Sequence, residues 1–287
     1  MDAAALDAAL DAAGRFLLSV PDEALRFDTA IMLHAIVSEP KGPLRAMSSE
    51  TEAPAKRHLA LTPGYLKAYE RARAFADRDH DNPMRAFWDP ELDIPGSHTR
   101  GWTIPTPGEA LVNSNKPVVE VLYCAHNGLR EESLLYIAKQ MHDNAGYQST
   151  HALWALQLAV ERDCLPQERY ETLSQQVREQ LCEAQREQLT PLGAVQDVDL
   201  FAERALFLSQ SRKLDGRCSS EENQLGCCAH RREERERWLR ALLHAQAPDG
   251  GWGSADEDPM WRTHATLLTA CFLLEERIAL DETNTNQ

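Results

Sequence analysis

The chain has 287 residues, 43% of them apolar and 26% charged, a composition that excludes a disordered protein and is sufficient to bury a core. Its net charge of −15, without a Lys/Arg-rich segment, argues against nucleic acid as a partner and favours a neutral, apolar or cationic ligand. No apolar run is long enough to span a membrane and the start of the chain is acidic, so we expect a cytoplasmic protein whose seven cysteines are reduced.

Helical periodicity runs through most of the chain, and the alternation typical of strands is nearly absent, so an all-α fold is predicted. In chain order, four charged helices are each followed by a turn and a more apolar helix. The charged helices are predicted near 3–18, 129–142, 167–187 and 231–246, and their apolar partners near 24–37, 149–162, 198–211 and 261–276. We interpret residues 1–287 as one domain of repeated antiparallel helix pairs.

Residues 38–117 interrupt this periodicity. They contain ten of the fifteen prolines and one short predicted helix near 63–77. A long irregular segment inside a compact domain usually has a function, such as a lid or a binding loop. We therefore predict a Pro-rich lid-like insertion over a cavity, with Trp88 and Trp102 contributing to substrate binding.

Two of the helix pairs repeat each other's sequence. The Cys-Ala-His at 124–126 recurs at 228–230, and the Thr-His-Ala at 150–152 recurs at 263–265. Matched motifs in the same order indicate stacked supersecondary units. The Cys-Ala-His motifs are incomplete as metal sites, and we interpret them as the starts of charged helices, with each cysteine packed inward.

The segment 246–253, Gln-Ala-Pro-Asp-Gly-Gly-Trp-Gly, precedes an apolar helix and resembles the repeat of the superfamily of squalene and terpene cyclases and protein prenyltransferases. The resemblance is clearest over 230–276 and implies an incomplete α/α toroid, in which inner helices surround a central cavity. The acid motif of the class II cyclases would fall where this chain has Phe27 followed by Asp28-Thr29-Ala30. Phe27 replaces the protonating aspartate, which argues against cyclase chemistry and leaves isoprenoid cyclisation as an alternative.

Four polar residues lie near the starts of the apolar helices, in comparable first-turn positions: Asp28, His151, Glu203 and His264. Two imidazoles and a carboxylate are a ligand set for zinc or non-haem iron, and without a metal the same groups serve as acid and base. The sequence therefore predicts His151, His264 and Glu203 as metal ligands, and Asp28 and Glu203 as catalytic carboxylates. In the structural alternative each histidine bonds a neighbouring carbonyl and recurs only because the repeat does.

The remaining motifs narrow the reaction class. No Gly-rich phosphate loop and no Gly-x-Ser-x-Gly elbow is present, so neither a nucleotide cofactor nor a serine hydrolase is expected. Asp197 and Asp199 precede a helix and are interpreted as N-cap residues. Trp154 is expected in the core or on the cavity wall, where it would bind substrate. We predict an enzyme acting on a small or mostly apolar molecule, by metal-assisted hydrolysis or oxidation or by acid–base chemistry. The alternative is a non-catalytic helical-repeat binding protein.

Overall fold

A computed structural model describes residues 2–37, 63–78, 82–87, 116–143, 146–189, 194–214 and 232–285. Within these ranges the regular secondary structure is helical, and β pairing is limited to two isolated bridges. The all-α prediction is therefore confirmed for the described part of the chain. Among the helices of this part, none combines the length and the apolar character that crossing a bilayer requires.

The helix pairs predicted from periodicity are all present. In chain order the helices are α1 (Ala3–Ser19), α2 (Phe27–Val37), α3 (Pro63–Ala76), α4 (Lys116–Leu122), α5 (Cys124–Asn127), α6 (Glu131–Asp143), α7 (Tyr147–Glu161), α8 (Gln167–Glu187), α9 (Val198–Leu214), α10 (Arg232–Ala245) and α11 (Pro259–Thr285). Short 3₁₀ helices span Asp22–Ala24 and Pro83–Phe87. The predicted starts agree to within a turn, and only α11 continues well beyond its predicted end.

The charged and the apolar helices differ in how they are buried. α10 buries a stripe that includes Trp238, Leu239 and Leu242, and most of its remaining residues are charged. α7 instead buries residues around most of its circumference, among them the polar Gln157. The Gln157 amide nitrogen donates to the Phe207 carbonyl and to the Ser211 hydroxyl on α9, at 2.8 Å each, so its N–H groups are paired inside the core. The charged helices are thus amphipathic, whereas the apolar helices are enclosed.

The apolar helices pack side by side. α2 contacts α11, α11 contacts α9, and α9 contacts α7, which in turn packs on α4. The charged helices pack against this row: α1 on α11, α10 on α9, α8 on α7 and α9, and α6 on α7. Since both α1 and α2 contact α11, the first and last helix pairs of the chain are neighbours.

The turn between α10 and α11 attaches the last helix pair to α1. The Gln246 amide donates to the carbonyls of Ala9 and Gly250, at 2.9 Å each. The buried Trp252 indole donates to the Leu242 carbonyl at 2.7 Å. Gly250 has a φ of +95°, and a Cβ atom there would lie 2.2 Å from the Ala12 carbonyl oxygen. Glycine is therefore required at this contact, for both its conformation and its size.

The predicted insertion contributes to the core where the structure describes it. The helix predicted near 63–77 is confirmed as α3, which packs against α1 and α2. Tyr65 on α3 is fully buried and its hydroxyl donates to the Leu10 carbonyl at 2.9 Å. Trp88, Trp102 and most of 38–117 lie outside the described residues. The lid therefore stays a prediction, and α3 is a core helix rather than part of it.

The expectation of reduced cysteines is wrong for part of the chain. Cys124 and Cys164 form a disulfide with a Cα–Cα distance of 6.1 Å, and Cys182 is also disulfide-bonded. Cys271 is a buried thiol. An odd number of cysteines excludes only complete pairing, so it carried no information on these bonds. Cys124 is buried, as the packing interpretation predicted, and its sulfur is not a thiolate ligand. Because disulfides persist in oxidising compartments, this bond weighs against the cytoplasmic prediction, which no observation tests directly.

Candidate functional site

A pocket of about 60 Å³, here called the central pocket, lies between α2, α7, α9 and α11. Its lining consists of Asp28, Ile31, Met32, Met84, His151, Trp154, Glu203, Leu206, Phe207, His264 and Leu268. All four polar residues predicted from the repeat thus line one pocket. Asp28 is in the first turn of its helix, as expected, whereas the other three lie one turn further in. Each of the four apolar helices therefore contributes one polar side chain.

Glu203 and His151 form a buried polar pair in this pocket. The Glu203 side chain is 1% exposed, and its Oε1 lies 3.3 Å from His151 Nε2. The Thr150 hydroxyl also donates to this oxygen. Glu203 Oε2 and His151 Nδ1 are buried and have no hydrogen-bond partner among the described residues. Buried polar atoms are rarely left unsatisfied, so an open carboxylate oxygen in a pocket favours a bound ligand or a proton donor.

His264 is held by a second carboxylate. Its Nδ1 lies 2.7 Å from Asp199 Oδ1, and the Tyr147 hydroxyl donates to Asp199 Oδ2 at 2.5 Å. Burial lowers the pKa of His264, but the hydrogen bond and charge of Asp199, with the charges of Glu203 and Asp28, outweigh it and raise the pKa to about 9. His264 is therefore an imidazolium at neutral pH. Burial and Asp199 also raise the pKa of Tyr147, so the phenol stays neutral.

The alternative in which each histidine bonds a neighbouring carbonyl does not agree with the contacts of the two rings. Each imidazole faces a carboxylate, Glu203 for His151 and Asp199 for His264, rather than a backbone carbonyl. Asp199 was misassigned as an N-cap residue. That role belongs to Asp197, whose Oδ1 accepts from the Leu200 amide at 3.1 Å.

Asp199 and Tyr147 are the site residues that sequence reasoning missed. Asp199 precedes Glu203 by four positions, and Tyr147 precedes His151 by the same spacing. Residues four apart share one face of a helix, so this spacing was the available signal.

Aromatic side chains form one wall of the central pocket. Trp154 stacks between Phe87 and Phe207, with ring centroids 5.2 and 5.3 Å away, and its ring meets His151 edge-on at 6.0 Å. Trp154 thus lies on the wall, where it was predicted to bind substrate. Phe87, like Met84, belongs to the 3₁₀ helix Pro83–Phe87, which brings part of the 38–117 segment to the pocket.

The predicted metal site is assembled only in part. His151 and Glu203 are adjacent, but His264 is bonded to Asp199 through Nδ1, so only Nε2 is left for a ligand. Over the described ranges, no three His, Cys, Asp or Glu side chains are grouped so as to hold a metal ion. A carboxylate behind a histidine is nevertheless the usual second layer of a metal site. Zinc or iron binding stays a prediction.

A larger cleft of about 680 Å³, here called the outer cleft, is lined in part by Asp199. Its polar and aromatic lining includes Tyr147, Asp197, Asp199, His244, Glu257 and Trp261. Trp261 is half exposed and its ring meets His264 edge-on at 6.3 Å. The volume is within the usual range of small-molecule sites. The Tyr147–Asp199–His264 chain therefore connects a cleft of ligand size to the central pocket.

No protein family, curated protein or solved structure matches the chain. The resemblance of residues 246–253 to the toroid superfamily therefore stays a prediction about the fold. The function has to be inferred from the chemistry of the site.

Proposed function

We propose that the protein is an enzyme that carries out acid–base chemistry on a small, mostly apolar molecule in the central pocket. One observation carries this proposal. The buried Glu203 carboxylate has an open oxygen in the same pocket as an imidazolium, His264, that Asp199 holds in place. A positioned base and a positioned acid within one largely apolar pocket are the components that proton transfer needs.

The contacts of each group define its role. Asp199 occupies Nδ1 of His264, so the imidazolium donates its remaining proton from Nε2 and acts as the general acid. Thr150 and His151 orient Oε1 of Glu203, which leaves Oε2 as the general base. Asp28 is exposed and lines the same pocket, where its carboxylate adds negative charge near the mouth.

We further propose that the helices form the incomplete α/α toroid. The order of helix contacts, α2 to α11 to α9 to α7, supports this arrangement, because the four apolar helices then surround the central pocket. The isoprenoid alternative has less support. Asp28, the remnant of the acid motif, is exposed, and a pocket of about 60 Å³ has no room for a folded polyene.

A metal-dependent version of the reaction is the second candidate, favoured by the His151–Glu203 pair and by the carboxylate behind His264. Metal ligands must be deprotonated, however. The hydrogen bond and charge of Asp199 raise the pKa of His264, so a proton has to leave Nε2 before that atom can bind a metal, which weakens metal binding. The metal-free mechanism is therefore the better supported of the two.

The test is a screen by reaction class with matched variants. Protein purified without a polyhistidine tag is assayed for ester, amide and lactone hydrolysis, and for solvent deuterium incorporation into small carbonyl compounds and amines. Glu203→Gln and His264→Gln should each lower kcat/KM by about 10²–10⁴-fold. Gln175→Ala, an exposed change on α8, should leave it unaltered. Absence of turnover in every class, or variants as active as the parent, favours the binding-protein alternative.

Elemental analysis of the same samples separates the two mechanisms. One zinc or iron per chain, together with loss of turnover after chelation and its return with the metal, would establish the metal-dependent version. Turnover that is insensitive to chelators would establish the metal-free one.

A further inference from the structure

We infer that the central pocket binds the ammonium group of a small primary amine, with Glu203 Oε2 as its acceptor. This inference rests on the pocket proposed above as the active site and names the class of its substrate. As a base, Glu203 would take its proton from this ammonium: the N–H bond breaks, an O–H bond forms on the carboxylate, and the nitrogen keeps the electron pair.

The charges lining the pocket favour a cation. They are the carboxylates of Asp28 and Glu203 and the imidazolium of His264, and the last is already paired with Asp199. Arg204 is the nearest further cation along α9, but it does not line the pocket, and the charge of Asp197 acts on it more strongly than that of Glu203. Among the described residues of the lining, Asp28 thus has no cation beside it, and Glu203 has only the imidazole of His151. A carboxylate or phosphate ligand would be repelled.

The burial of Glu203 sharpens this preference. Its side chain is 1% exposed, and its Oε2 has no hydrogen-bond partner among the described residues. An ionised oxygen withdrawn from water is unfavourable unless a donor compensates it, and hydrogen bonds in which both partners are charged are about twice as strong as neutral ones. An ammonium N–H is the donor that supplies both the hydrogen bond and the opposite charge.

The rest of the lining fits short methylene groups. Ile31, Met32, Leu206 and Leu268 surround the polar residues, and the stacked rings of Trp154 and Phe207 form a rigid wall. The pocket is small, with a volume of about 60 Å³, which suits an ammonium on a short carbon chain. A quaternary ammonium has no N–H to donate to Glu203 Oε2. Any larger part of the substrate would extend past the exposed Asp28.

Binding of small probe ions tests the inference. The full chain is titrated at constant ionic strength with ethylammonium, tetramethylammonium, acetate and ethanol, while NMR follows the imidazole signals of His151 and His264. Ethylammonium should give saturable shifts, and the other three probes should not. Glu203→Gln should weaken ethylammonium binding at least tenfold, whereas Glu233→Gln, an exposed change on α10, should not alter it. If Glu203→Gln fails to fold, Asp28→Asn is measured instead, and its affinity for ethylammonium should be about threefold lower than that of the parent.

The results separate this inference from the proposed function. Shifts of equal size with ethylammonium and ethanol, or equal affinity in Glu203→Gln, would overturn the amine assignment. Turnover of a neutral substrate that depends on Glu203 and His264, without amine binding, would overturn the amine assignment alone. Amine binding that depends on Glu203, without turnover in any reaction class, would overturn the acid–base proposal and leave the amine assignment in place.

Discussion

At the scale of single residues, the surroundings of the two histidines decide their charge and role. His264 and His151 belong to repeated Thr-His-Ala motifs, but only His264 has its ring bonded to a carboxylate through Nδ1 while two further carboxylates act on it. His151 meets Glu203 through Nε2 instead. Equivalent positions in a repeat thus acquire different chemistry from the residues that the neighbouring helices bring to them.

The raised pKa of His264 makes stability depend on pH. Its folded-state value of about 9 lies above the 6.5 of an unfolded histidine, so its contribution is fully present below pH 6.5 and is lost as the pH rises through 9. The contribution has an upper limit on the order of 3 kcal/mol, since each pKa unit corresponds to about 1.4 kcal/mol. Urea unfolding at pH 6 and pH 9.5 should show a smaller loss of stability in His264→Gln than in the parent. Equal losses would contradict the assignment.

Asp199 and Tyr147 should change the pKa of His264 in different directions. Asp199→Asn removes the carboxylate that holds Nδ1 and should lower this pKa by more than one unit. Tyr147→Phe removes a hydrogen bond to Asp199, which makes the carboxylate more basic, and should raise the pKa or leave it unchanged. NMR titration of the His264 imidazole measures both. A fall in both variants would point to general loosening of the site instead.

At the scale of elements, small residues set how closely helices approach. α1 and α3 cross at Gly14 and Gly64, where a Cβ atom on Gly64 would lie 1.7 Å from the Gly14 carbonyl oxygen. This crossing holds α3 against α1 and α2, and α2 carries Asp28 to the central pocket. The position of one wall of the pocket therefore depends on the glycine contact between α1 and α3.

Gly64→Ala tests this crossing. In a helix interior alanine is more stable than glycine by about 1 kcal/mol, and the gain is smaller in the first turn, where Gly64 lies. Here the clash is with backbone, which cannot move aside as a side chain would, so we expect a net loss of about 1–3 kcal/mol in the free energy of unfolding. Lys67→Ala, an exposed change on the same helix, should stay within about 0.5 kcal/mol of the parent. A stabilising Gly64→Ala would show that the helices are not in contact there.

At the scale of the whole molecule, distant parts of the chain are joined directly. Gln246 attaches the last turn to α1 through the Ala9 carbonyl, and Arg277 on α11 forms a salt bridge with Asp7 at 2.9 Å. The Cys124–Cys164 disulfide closes a second loop, with a sequence separation of 40. These links connect the helix pairs that carry the site. The disulfide restricts the unfolded chain, whereas the hydrogen bond and the salt bridge hold helices together in the folded protein.

The disulfide should contribute measurably to stability. A loop of this length corresponds to at most about 4 kcal/mol from the lowered entropy of the unfolded chain. Thermal unfolding without reductant should therefore show a lower Tm for the Cys124→Ser, Cys164→Ser double variant than for the parent. Peptide mapping of the unreduced parent should recover the cross-linked pair. Alkylation of both cysteines in the native protein would contradict the bond.

Local pattern predicted a large part of this protein. The spacing of apolar residues predicted the helix pairs, because a helix buries one face and its period is written along the chain. The repeat placed Asp28, His151, Glu203 and His264 at comparable helix positions, and packing of the apolar helices brings all four to one pocket.

Only the tertiary structure decided which side chains are bonded to each other. Tyr147, Asp199 and His264 lie on three different helices. The helix pair α6–α7 lies between Cys124 and Cys164 in the chain. Whether Glu203 Oε2 has a hydrogen-bond partner also depends on the packing of the helices around it, and among the described residues it has none. By itself the sequence determined which residues are helical and which faces are apolar, since both depend on neighbours along the chain. The charge of His264, the disulfide and the pocket depend on distances between helices that no local period encodes.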